Sequence, residues 1–159
     1  MIESYMLLRA AFKLFVRRWE WIYFYGAKGE LLTDAVMNQL IEAYPGFYGK
    51  YSFEQLESFK RVSRGKYGVD CSGFITLISG IYGNSAMIWE KCTDKTDIVN
   101  GKAGYFLYKP NHCAVDIGYG YGMDIGSMGE TFSIFKLQDR GFIGSGALPG
   151  YNYEKAVNF

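Results

Sequence analysis

Gly65-Lys66-Tyr67-Gly68-Val69-Asp70-Cys71-Ser72-Gly73 runs directly into Phe74-Ile75-Thr76-Leu77-Ile78. A glycine-punctuated loop thus meets an apolar run of helical character, and Cys71 stands at the junction. The first turn of a helix carries unpaired N–H groups and the positive end of the helix dipole, and both stabilise an anion. The thiolate is such an anion and is the reactive form of cysteine. Asp70, one residue earlier, occupies the position of an N-cap. A cysteine at a tight helix start also serves as a small buried hydrophobe, so position alone leaves both roles open.

Upstream of this junction the pattern is helical. Met6, Ala10 and Leu14, and Leu7, Ala11 and Phe15, form i, i+4 rows that predict a helix over 5–19. Arg9, Lys13, Arg17 and Arg18 suit a core helix with snorkelling basic side chains better than a membrane-surface helix. Trp21 to Gly26 reads as an extended or turn segment. Thr33 is placed to cap a helix from Asp34 to Ala43, with Val36, Leu40 and Ile41 on one face and Pro45-Gly46 as its stop. A third helix is expected from Phe53 to about Val62. Downstream the character changes. Tyr105 to Tyr108, Ala114 to Ile117, Met123 to Ile125 and Phe132 to Leu137 read as strands, with glycines 118, 120 and 122 making a turn. Helices first and strands afterwards indicate an α+β fold, N-terminal helices packed on a central antiparallel sheet, and not alternating βαβ units.

The 159 residues suit one domain over 1–159, and a hydrophobic content of 49% supplies a core. A formal charge of +1, without a basic stripe, gives no footprint for nucleic acid. No apolar run is long enough for a membrane span, and no signal-peptide pattern opens the chain, so synthesis in the cytoplasm is expected. The three cysteines, Cys71, Cys92 and Cys113, form no CxxC pair, and one histidine leaves little for a zinc site. Neither metal nor cofactor is expected. A disulfide framework is not expected either, although a pairing of Cys92 with Cys113 stays open.

His112 changes the standing of Cys71. It is the sole histidine and opens a strand after Pro110-Asn111. A thiol nucleophile needs a base that titrates near neutrality, which imidazole supplies. A third group should orient the ring. Asp116 lies on the same strand, roughly 13 Å along it and out of reach. Asp124 lies across the glycine turn, where a reversal would bring it to His112, or where it merely satisfies a turn N–H. For the oxyanion, the Cys71 N–H and the Tyr23 hydroxyl are candidates. Gly118-Tyr119-Gly120-Tyr121-Gly122 lacks the spacing of a dinucleotide loop, and no serine stands in a GxSxG elbow.

Asp70-Cys71-Ser72-Gly73-Phe74 resembles the DCSGF/L signature of the NlpC family of cell-wall cysteine peptidases, and His112-Cys113-Ala114-Val115-Asp116-Ile117-Gly118 resembles its HVGIYIG strand. Asp124 falls where that family carries its third polar residue. Tyr23-Phe24-Tyr25-Gly26 resembles its YVWGG segment, and Gly104-Tyr105-Phe106 sits at its GDLVFF position. Segments around Tyr25 to Gly29, Tyr44-Pro45 and Leu148 to Tyr151 also resemble clostridial-type phage lysins. The resemblance covers about residues 10–137. It implies a papain-like fold and a cysteine hydrolase that cuts amide bonds of peptidoglycan stem peptides. The implied catalytic set is Cys71, His112, Asp124 and Tyr23, with Asp70 and Ser72 assigned to substrate binding. It also implies a stem-peptide partner, a monomer, and action on the wall after release by a route other than a signal peptide.

The sequence departs from that pattern in one large respect. About 45 residues separate Gly26 from Cys71, which predicts a helical insertion at about 27–65 that forms a lid or rim. Three other readings share parts of the pattern: an N-acetylmuramoyl-L-alanine amidase, a transglutaminase-like acyl transferase, and a non-catalytic binding module.

Overall fold

The computed structural model describes residues 1–154. A short strand β1 (Ile2–Glu3) precedes helix α1 (Tyr5–Val16), which buries Leu7, Leu8 and Ala11 and turns Arg9 and Lys13 to solvent. Of the two rows in the sequence, the one through Leu7 and Ala11 therefore faces the core. A 3-10 turn over Arg18–Glu20 leads into β2 (Trp21–Tyr23). The 27–65 segment follows as β3 (Lys28–Leu31), α2 (Asp34–Ala43), α3 (Pro45–Tyr48) and α4 (Phe53–Ser63). Thr33 caps α2 by accepting from Val36 N–H at 3.2 Å. Ser52 and Gln55 form a reciprocal capping box on α4. α2 ends at Ala43, ahead of Pro45-Gly46 as expected, but Pro45 also opens a further helix, taking the first position of α3, where its missing N–H costs nothing.

The chain then enters β4 (Tyr67–Val69) and α5 (Cys71–Ser79), which Gly80 ends in a left-handed conformation at φ 74°. After α6 (Ser85–Lys91) come β5 (Thr93–Thr96), β6 (Phe106–Lys109), β7 (His112–Gly118), β8 (Tyr121–Asp124), β9 (Ser133–Lys136), β10 (Gly144–Ala147) and β11 (Tyr151–Asn152). Six strands form one antiparallel sheet in the order β5-β10-β6-β7-β8-β9. A three-stranded sheet, β2-β4-β3, brings β2 parallel to β4 and pairs Tyr23 with Val69, two residues before Cys71. The fold is α+β.

Two hairpins govern the placement of β7. Lys109 pairs with His112, so Pro110-Asn111 is a two-residue turn with Asn111 at φ 65°, the proline-then-positive-φ order of a type II turn. At the other end Gly118 pairs with Tyr121 across Tyr119-Gly120, both at positive φ, as the twist-compatible type I′ hairpin requires. Cys113, Val115 and Ile117 face α5 and pack with Phe74, Ile75 and Leu7 in the main core. Ala114 faces the opposite side, with Leu107, Phe135, Leu137 and Phe142. A third cluster, of Ile22, Phe24, Leu32, Met37 and Tyr48, anchors the 27–65 segment to β2. Within the described residues no helix is long and apolar enough to cross a membrane.

Candidate active site

Cys71 is the first residue of α5, and Asp70 is its N-cap. Asp70 Oδ1 accepts from Gly73 N–H at 2.7 Å, from Lys28 Nζ at 2.8 Å and from Ser72 Oγ at 3.2 Å, while Oδ2 accepts from Gly26 N–H at 3.1 Å. Lys28 Nζ also donates to Ser72 Oγ at 3.1 Å. The carboxylate therefore ties the aromatic-Gly segment, β3 and the start of α5 together. Asp70 and Ser72 are engaged with Lys28, whose own side chain remains 46% exposed.

His112 opens β7. Continuing the antiparallel ladder from the pairing of Val115 with Met123 places Gly126 opposite His112 and Asp124 on the diagonal. His112 Nε2 donates to Asp124 Oδ2 at 2.8 Å, which leaves Nδ1 for the thiol. Asp124 is 1% exposed, so this bond lies in a low-dielectric setting. Asp116, four residues along the strand, instead accepts from Gly118 N–H at 2.8 Å in the hairpin. The ring of His112 stacks on Phe142 at 5.6 Å.

The electrostatics favour a charged pair. The Cys71 thiol is pulled down to about 5, first by a hydrogen bond from the Cys113 thiol, against burial, with His112 adding a hydrogen bond and its charge. Burial pushes the Cys113 thiol well up, so it stays protonated as that donor. For His112, burial disfavours the cation, but hydrogen bonds to Asp124 and Cys71 outweigh it and raise the imidazole to about 9. The phenol of Tyr23 is buried and held neutral, chiefly by that burial and next by the charge of Cys71. Its backbone N–H donates to the Glu130 carbonyl at 2.8 Å, which ties the loop after β8 to β2.

Of the residues singled out in the sequence, the fold brings His112 and Asp124 into a hydrogen bond and sets His112 within electrostatic reach of Cys71, with Tyr23 in the field of the thiol. Besides Lys28, three participants were not singled out there. Cys113 reaches Cys71 from the face of β7 that packs on α5, a face the alternation of the strand already encoded. Ser133 Oγ donates to Asp124 Oδ1 at 2.8 Å, and Arg140 Nη1 donates to Asp124 Oδ2 at 2.9 Å. Neither has a sequence signal, because both arrive through β9 and the loop that follows it. All three cysteines are free thiols, so Cys92 and Cys113 are not paired. Among the described residues no cluster of three His, Cys, Asp or Glu side chains is arranged to hold a metal ion.

The fold has a counterpart among solved structures. The peptidoglycan hydrolase RipB of Mycobacterium tuberculosis superposes with a TM-score of 0.57 at 12% identity, over 91% of this chain and 66% of that one. At that identity the likeness concerns the fold, and this chain spans just under two thirds of RipB's length. No protein-family model and no curated protein matches the sequence.

Proposed function

We propose that the protein is a cysteine hydrolase of peptidoglycan that cleaves amide bonds of stem peptides through an acyl-enzyme. The observation that carries this reading is the line from Cys71 through His112 to buried Asp124, with the thiol lowered to about 5 beside a protonated ring. The thiolate attacks the amide carbonyl, with the oxyanion held by the Cys71 N–H and the Tyr23 hydroxyl. The imidazolium gives its proton to the departing amine. Neutral His112 then takes a proton from water, which attacks the thioester and releases the acid. Asp124 keeps Nε2–H pointed away from sulfur throughout. The RipB fold supports peptidoglycan as the substrate class. Asp70 and Ser72 contribute to binding through the Lys28 ammonium that they hold at the rim, and the 27–65 segment forms one wall of the cleft. Action at the wall follows release or export from the cytoplasm.

Digestion of purified peptidoglycan by the wild type and by Cys71→Ala, with products identified by mass spectrometry, tests the reading. Soluble stem-peptide fragments from the wild type alone are expected, and their masses name the bond. Release by both proteins removes Cys71 from the mechanism. Release by neither, across walls built on lysine and on diaminopimelate, refutes the substrate class.

A further inference from the structure

We propose that Arg140 is a positioning residue of this site, fixing the Asp124 carboxylate and supplying its permanent counter-charge. The inference rests on the reading of Cys71 and His112 as nucleophile and base. Asp124 accepts three side-chain hydrogen bonds: Ser133 Oγ on Oδ1, and His112 Nε2 and Arg140 Nη1 together on Oδ2. Arg140 Nη2 donates to Ser133 Oγ at 3.2 Å, so one guanidinium closes a ring with β8 and β9. The guanidinium itself lies over the Phe135 ring at 4.5 Å, and the Arg140 carbonyl accepts from Lys109 Nζ. A surface ion pair with no role beyond solubility has no need of a ring platform, a second hydrogen bond and a tethered backbone.

The electrostatic argument concerns the step at which His112 is neutral. An imidazolium balances Asp124 while the thiolate waits. Once the ring has given its proton to the leaving amine, that balance is gone, and a carboxylate 1% exposed is costly without a cation. Arginine does not deprotonate, so it keeps Asp124 compensated through that interval. It also competes with His112 for Oδ2, and this makes the imidazolium more willing to part with its proton. The other charged groups around the pair are Cys71 from α5, Lys109 from β6 and Glu130 from the loop before β9, the latter two lining the same polar cavity of about 320 Å³ as Arg140. Besides His112, Arg140 is the charged group hydrogen-bonded to Asp124 among the described residues.

The chain has one histidine, so its ring signal in an NMR titration belongs to His112. Wild type, Arg140→Met and Arg140→Lys are titrated, and kcat and KM are measured on the fragment-releasing reaction. Arg140→Met is expected to move the His112 midpoint upward by roughly one pH unit. It should lower kcat about tenfold or more, with KM little changed. Arg140→Lys, which keeps the charge but not the fork, is expected to hold the midpoint near that of wild type and to retain part of kcat. A midpoint unmoved or lowered in Arg140→Met overturns the proposal. Should Arg140→Met not fold, Arg140→Lys decides: a tenfold loss of kcat overturns the counter-charge role, and retention within about threefold supports it. The titration uses no substrate. If wild type leaves peptidoglycan intact, the substrate reading fails, and the midpoint, with the alkylation rate of Cys71 in place of kcat, still judges Arg140.

Discussion

Cys71 and His112 perturb each other in opposite directions, and the signs define a pH window. The Cys71 value is lowered from 9.0 to about 5, so its contribution to stability is complete above 9.0 and disappears as pH falls toward 5. The His112 value is raised from 6.5 to about 9, so its contribution is complete below 6.5 and disappears as pH rises toward 9. The ion pair therefore prevails between about 5 and about 9. Alkylation of Cys71 by iodoacetamide should hold its rate from neutral pH down to about pH 5; a rate that halves near pH 9 instead would show an ordinary thiol. In Cys71→Ala the His112 ring should titrate at lower pH than in wild type, because two of the influences that raise it come from the thiolate. Gly126 offers a steric probe of the same pair. A Cβ there would lie 3.0 Å from His112 Cε1 and 3.4 Å from Nε2, and its backbone φ does not demand glycine. Gly126→Ala should therefore push the ring and lower kcat on the order of tenfold while the melting temperature stays within a few degrees. An unchanged kcat would show that the ring has room to spare. The residue types of the pair were legible in the sequence, because one histidine and one cysteine at a helix start admit few arrangements. The thiol of Cys113 was not, since a strand residue read in one dimension does not disclose what lies across from it.

At the scale of elements, the β7–β8 hairpin carries two aspartates with different fates. Asp124 is drawn to His112, while Asp116 is buried at the hairpin and accepts from Gly118 N–H. Burial raises the Asp116 carboxyl from 3.8 to about 6, only partly offset by that hydrogen bond. A folded value above the unfolded one means that the contribution of Asp116 to stability is most favourable below 3.8 and is lost as pH rises through about 6. Asp116→Asn keeps the acceptor for Gly118 and removes the charge. Its melting temperature should exceed that of wild type at pH 8, by about 5 °C, and the two should converge below pH 4. Calorimetry at the two pH values checks this, and a variant less stable at pH 8 would refute the reading of Asp116 as an uncompensated charge. The four strands from β6 to β9, the glycine turn and the helix over Asp34–Ala43 were legible from periodicity and caps, whereas β3, β4, β5 and β10 were not read. The start of α3 at Pro45 was not read, because its four residues carry no periodicity and are held by tertiary contacts: Phe47 stacks on Tyr25 with centroids 4.1 Å apart, and the buried Tyr48 donates its hydroxyl to the Tyr25 carbonyl at 2.7 Å.

For the whole molecule, the ends of the described chain are drawn together. β1 pairs in parallel with β11, Ile2 opposite Tyr151 and Glu3 opposite Asn152. Tyr153 Oη donates to the Gly104 carbonyl at 2.9 Å and accepts from Leu148 N–H at 3.1 Å, and its ring meets Tyr105 edge-on at 4.9 Å. Tyr153→Phe keeps the ring contact and strips both hydrogen bonds, so urea unfolding should show a loss of about 1–2 kcal/mol without a change in the pH profile of Cys71 alkylation. A loss below a few tenths would show that solvent replaces both partners. None of this closure was read from the sequence: two-residue strands at opposite ends have no periodicity to detect, and their pairing is pure tertiary contact.

The sequence by itself determined the class of the fold, the helix that presents Cys71, the strand that presents His112 and the turn that brings Asp124 back. Those are local properties of caps, glycines and alternation, each encoded within a few residues. Tertiary structure alone decided that Cys113 faces Cys71, that Lys28 occupies Asp70 and Ser72, and that Arg140 and Ser133 hold Asp124. These contacts join residues up to 44 positions apart. They depend on sheet order and on the packing of α5 against β7, and a one-dimensional pattern contains neither.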